Sequence, residues 1–110
     1  MATDTNTQKI QELNDKLRQN PNQDWFMSQG VAGLPNHKRI ELMLLITKFD
    51  NFTEDNDPYN EHDFGAVTLD GVKYFWKISY YDKNLEYHSE NPADPDVTRR
   101  ILNIMEASEY

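Results

Sequence analysis

Glu61, His62 and Asp63 are consecutive, and two carboxylates beside an imidazole are groups that share a proton or bind a divalent metal. On an extended chain Glu61 and Asp63 point one way and His62 the other, so the three converge on one ion only if a bulge intervenes. A site would need ligands from outside the triplet, such as Asp55, Asp57, His37 or His88. The set Asp57, His62 and Asp63 defines one alternative, a small divalent-metal-dependent enzyme. The plainer reading outweighs it: His62 or Asp63 hydrogen-bonds the preceding loop and fixes its entry to a sheet.

Other chemistry is weaker still. Asp63-Phe64-Gly65 matches the magnesium-binding triplet of protein kinases, but no glycine-rich loop, strand lysine or catalytic loop accompanies it. Asp55-Asn56-Asp57 begins like a calcium loop, yet Pro58 breaks the spacing and the required glycine is missing. Serine and threonine residues lack a nucleophile-elbow context. The absence of cysteine removes disulfides, thiolate metal sites and a thiol nucleophile. No cofactor is expected.

Charge is the stronger signal. The net charge is -8, which disfavours direct binding to nucleic acid and favours basic partners. From Asp50 to Asp70 the chain carries Asp50, Glu54, Asp55, Asp57, Glu61, Asp63 and Asp70 with no Lys or Arg before Asp70. Magnitude limits the claim. A domain of this length is ~34 Å across, and duplex DNA of that length carries about 20 charges. A net charge of -8 therefore excludes a whole-surface DNA mimic and leaves room for a local acidic face. The competing reading is a solvated surface that keeps the protein soluble.

The elements that must position these groups follow from period and punctuation. Asp4, Thr5 and Thr7 offer caps for a helix over residues 5–18, with Ile10, Leu13 and Leu17 as its stripe. Residues 24–28 read as a short strand, and Gly30 to Gly33 as a flexible joint. A second helix, residues 35–49, is apolar over more than half its girth, with Ile40, Met43, Leu44 and Thr47 on one face. It is expected in the core, and its girth also admits a homodimer. Residues 50–60 form a loop tied down by Phe52. From His62 the period is two, and Asp70-Gly71 marks a hairpin. Val72, Tyr74, Trp76, Ile78 and Tyr80 face the core. Lys73, Phe75, Lys77, Ser79 and Tyr81 face outward, where rings beside lysines suit a protein contact or a covering helix better than stacked bases. Leu85, Tyr87 and Ser89 continue as a third strand. Asp94-Pro95-Asp96 starts a last helix, with Val97, Ile101, Ile104, Met105 and Ser108 as its stripe.

Longer strings carry a resemblance. They are Gln11–Arg18 (QELNDKLR), Ser28–Pro35 (SQGVAGLP), Phe52–Pro58 (FTEDNDP), Glu61–Ala66 (EHDFGA), Leu69–Gly71 (LDG), Phe75–Ile78 (FWKI), Tyr80–Asp82 (YYD), Asn91–Pro95 (NPADP) and Thr98–Leu102 (TRRIL). Together they resemble a domain-of-unknown-function family of short bacterial proteins, common in alphaproteobacteria and on plasmids and phage-like elements. Asn91 stands where relatives often carry Asp, and residues 22–25 depart from a Gly-Gly-Arg pattern. The resemblance implies a fold relation and a mobile-element context, and no activity.

The sequence thus predicts one α+β domain over residues 1–110, with residues 1–4 frayed. Its antiparallel meander has three to four strands packed by two to three helices. No apolar run is long enough to span a membrane, and a cytoplasmic protein is expected. The function expected is a non-enzymatic, acidic protein-binding protein. It would be encoded on a mobile element and inhibit a nucleic-acid-targeting defence complex, in the manner of anti-CRISPR or anti-restriction proteins. The contacts expected to meet a partner's basic, nucleic-acid-binding surface are Glu54, Asp55, Asp57, Glu61 and Asp63.

Overall fold

A computed structural model describes residues 5–110. The frayed start and the Asp4 cap lie outside the described residues. In chain order the elements are α1 (Thr5–Gln19), β1 (Trp25–Met27), α2 (Gln29–Ala32), α3 (Asn36–Thr47), β2 (Phe64–Leu69), β3 (Val72–Tyr81) and β4 (Arg99–Glu106). A 3-10 turn, Ala107–Glu109, closes the chain. No helix among the described residues is long and apolar enough to cross a membrane.

The strands form one sheet in the order β1-β4-β3-β2. β2 and β3 are the predicted hairpin, with Leu69 opposite Val72 across Asp70-Gly71. Both turn residues take positive φ, 52° at Asp70 and 79° at Gly71, the geometry of a two-residue hairpin turn. β3 pairs antiparallel with β4, and β1 pairs parallel with β4, so the sheet is mixed.

Alternation along β3 puts Tyr74, Trp76, Ile78 and Tyr80 inside, as expected, whereas Val72 at its start is exposed. Leu102 and Ile104 of β4 lie opposite Ile78 and Trp76. Leu17 of α1 and Leu42 and Ile46 of α3 complete this core. Each such side chain contributes about 1.5–3 kcal/mol by leaving water.

Four expectations are corrected. The predicted last helix is the strand β4, which sits between β1 and β3 in the middle of the sheet. Its apolar residues face both sides: Leu102 and Ile104 inward, and Ile101, opposite Ser79, outward, yet all three are buried. With apolar residues at 101, 102 and 104, on both faces of the strand, the period of two is hidden. Asp94 holds its segment in a turn, its carboxylate accepting the Asp96 N–H at 2.9 Å. The predicted third strand, Leu85 to Ser89, is a turn with one bridge between Tyr81 and His88, and Leu85 has a φ of 59°. The flexible joint at Gly30–Gly33 is largely the helix α2, capped by Ser28 Oγ, which accepts the Val31 N–H at 3.3 Å. Finally, α3 buries Leu42 and Ile46 and turns Ile40 and Leu44 outward, 58% and 50% exposed.

The chain's end is clasped. Glu109 accepts hydrogen bonds from the Ser28 hydroxyl at 2.6 Å and from the N–H groups of Gly30 and Glu106 at 2.9 and 2.8 Å. The Ser28 hydrogen bond, then those backbone donors, hold its carboxyl below the usual range.

Candidate functional site

Two segments without regular structure, residues 48–63 and 82–98, enter and leave the sheet at one end: where β2 starts, β3 stops and β4 starts. Both are rich in carboxylates. Asp50, Glu54, Asp55, Glu86, Glu90 and Asp96 are all exposed there, against the exposed Lys48 and Lys83. Asp70 lies at the opposite end, on the hairpin turn, ion-paired with Lys38.

Beneath these loops lies a polar network. Asn14 of α1 is fully buried. Its amide donates to the Glu61 carbonyl at 2.9 Å and to the Tyr80 hydroxyl at 2.7 Å, and its oxygen accepts from Arg100 Nε at 2.8 Å. The Tyr80 hydroxyl donates to Glu61 Oε1 at 2.7 Å. Burial first, then the Glu61 hydrogen bond, holds that phenol well above its usual value, so it stays a donor. Arg100 lies over the Tyr80 ring at 5.2 Å and donates to the Pro92 carbonyl, tying the 82–98 segment to the same network.

A second cluster fixes the 48–63 segment. His62 Nδ1 lies 2.9 and 3.1 Å from the Asp15 carboxylate oxygens, and Nε2 lies 3.7 Å from Asp57. Asp15 also accepts from Arg18 at 3.2 Å, while Arg18 donates to the Ile46 and Thr47 carbonyls at the end of α3. One helix thereby holds the acidic loop and the neighbouring helix at once.

The five predicted contact residues separate. Glu54 and Asp55 are exposed as expected. Asp57 is not a surface group: it is only 4% exposed, because its carboxylate accepts the His62 N–H at 3.1 Å and closes the loop on itself. Glu61 is half-buried and committed to Tyr80. Asp63 is half-buried, and burial, reinforced by the neighbouring Glu61 charge, raises its carboxyl above the usual range. The alternative metal set Asp57, His62 and Asp63 is not assembled. His62 has carboxylates at opposite ring nitrogens, and among the described residues no three His, Asp or Glu side chains are grouped to hold an ion.

Sequence reasoning missed Asn14, Asp15, Arg18 and Arg100. One signal was available: Asn14 falls four residues after Ile10 and three before Leu17, a polar residue on an apolar stripe.

Compared with protein families, residues 27–109 match the model described as protein of unknown function DUF3768. The chain belongs to the DUF3768 family. The match begins at Met27, so the family region contains the hairpin, β4 and both acidic loops, while Asn14, Asp15 and Arg18 precede it. No curated protein and no solved structure matches the chain.

Proposed function

We propose that this DUF3768 protein is a non-enzymatic binding module whose acidic sheet end docks on a basic surface of another protein. The observation that carries this reading is the convergence of two distant acidic segments on one end of the sheet, with six exposed carboxylates. Buried donors spanning α1, β3 and β4 fix both segments. The face is therefore organised before a partner arrives, which lowers the ordering cost of association. Exposed carboxylates on one face sum their fields on an approaching cation, and salt screens that attraction over ~8 Å. The specific form of the proposal is a mobile-element inhibitor that occupies the nucleic-acid groove of a defence complex.

The test is capture of candidate nuclease complexes on immobilised protein, followed by competition with duplex DNA. Capture should be displaced by DNA and by rising salt, and be lost when Glu54, Asp55, Glu86 and Glu90 are all changed to Lys. Capture that survives this reversal would sink the proposal.

A further inference from the structure

The ladder along the β2 side of β3 has a gap. Ile78 N–H donates to the Asp63 carbonyl at 2.8 Å, and the Ser89 N–H donates to the Tyr80 carbonyl at 3.0 Å, so even-numbered residues of β3 face that side. Between those bonds the opposing chain turns away, at His62 with a φ of 56° on one side and after Ser89 on the other. The Ile78 carbonyl and the Tyr80 N–H point into the gap, and neither has a backbone partner there among the described residues. The gap opens into a cleft of about 350 Å³ bordered by Asp63, Lys77, Ser79, Tyr81 and His88. That volume is at the small end of ligand sites.

We infer that this cleft receives the guanidinium of an arginine from the docked partner, an inference that rests on the reading of the acidic end as a docking surface. Asp63 supplies the carboxylate, the Ile78 carbonyl supplies a second acceptor, and Tyr81 supplies an aromatic wall. Planar guanidinium, with donors spread around its rim, satisfies several acceptors at once and stacks on rings, whereas an ammonium is a compact point charge. Asp63 needs such a partner: it makes no ion pair among the described residues and lies beside the carboxylates of Glu61 and Asp57. Lys77 lines the cleft and offsets the Asp63 charge only in small part: it makes no ion pair with Asp63, and its ammonium lies over the Tyr110 ring, 5.9 Å from the centroid. Burial, then the neighbouring Glu61 charge, holds the Asp63 carboxyl above its usual range, which agrees with a carboxylate whose counter-charge comes from outside the chain.

The experiment is titration of the ¹⁵N-labelled full chain with N-acetyl-arginine amide at matched ionic strength, with N-acetyl-lysine amide as the control. Saturable shifts in the millimolar range are expected at the Tyr80 and Asp63 amides, with Asp63→Asn weakening them about tenfold or more. A doubly reversed rim, Glu54→Lys with Asp55→Lys, should keep the arginine shifts while weakening partner capture. The amide spectrum reports whether each variant is folded, and Tyr81→Leu provides a second reduction in affinity at an independent wall. Absence of saturable shifts, equal response to the lysine compound, or shifts that survive Asp63→Asn would overturn the arginine site. Loss of capture on rim reversal with no arginine site would leave docking standing and remove only the cleft.

Discussion

His62 lies flat on Phe52, with ring centroids 3.8 Å apart and planes 5° from parallel. Phe52 also meets Phe49 and Trp76 edge-on at 5.0 and 6.1 Å, and Arg18 stands over its ring at 5.5 Å. Phe52 thereby pins the middle of the acidic loop to the core, beside the hydrogen bonds that Asn14 and Asp15 make to Glu61 and His62. Phe52→Ala should cost about 2–3 kcal/mol, since the ring is partly buried. Urea denaturation measures the loss, and amide exchange should accelerate most between residues 50 and 62.

Buried Asn14 satisfies three partners, so its removal should exceed the loss of any one bond. Asn14→Ala leaves Arg100 Nε and the Glu61 carbonyl short of a partner and should cost about 3 kcal/mol. Tyr80→Phe deletes one hydroxyl from the same network and should cost about 1–2 kcal/mol. Chemical denaturation of both variants checks the order, which reverses if Glu61 rather than Asn14 organises the network.

Asp63 sets a pH dependence of definite sign. Its folded-state carboxyl is held above the usual aspartate range, chiefly by burial. The native state therefore retains that proton to higher pH than the unfolded chain. Its contribution is fully favourable below the ordinary aspartate range and is lost as pH rises through the raised value. Asp63→Asn should melt higher than the parent at pH 7, and the difference should shrink as the pH is lowered towards the ordinary aspartate range. Melting curves across pH 3 to 8, compared about one unit apart, measure this.

Gly65 lies against the Trp76 indole so closely that a β-carbon there would fall 2.5 Å from Nε1 and 2.7 Å from Phe49 Cζ. Both rings belong to the packed interior and cannot swing away freely. Gly65→Ala should destabilise by about 1–3 kcal/mol and alter the near-ultraviolet dichroism of Trp76. An unchanged spectrum and midpoint would mean that the rings relax.

Local signals carried much of this architecture. The Ile10–Leu13–Leu17 stripe marked α1, and Asp70-Gly71 between alternating runs marked the hairpin. They failed where tertiary position changed the pattern. Ile101, Leu102 and Ile104 are apolar on both faces because β4 is central, and that spacing imitates a helix. Asp94, read as a cap, makes a local turn. The candidate site was half legible. Glu54 and Asp55 behave as their loop chemistry suggests. Asp57 does not, because its neighbours in space are the His62 backbone and ring. The supporting groups Asn14 and Asp15 lie 47 residues from Glu61 and His62, the loop residues they hold, a pairing that period and composition do not encode.

The central seat of β4 also decides when this chain can fold. Among the described residues β1 has no sheet neighbour except β4, and the Arg99–Asp24 ion pair that seals their junction joins residues 75 positions apart. During synthesis β1 and the β2–β3 hairpin precede β4, so the slot between β1 and β3 stays empty until Arg99–Glu106 has been made. Closing so wide a loop delays assembly. During that interval the half-made sheet presents bare strand edges, a window in which a nascent chain is open to chaperones and proteases.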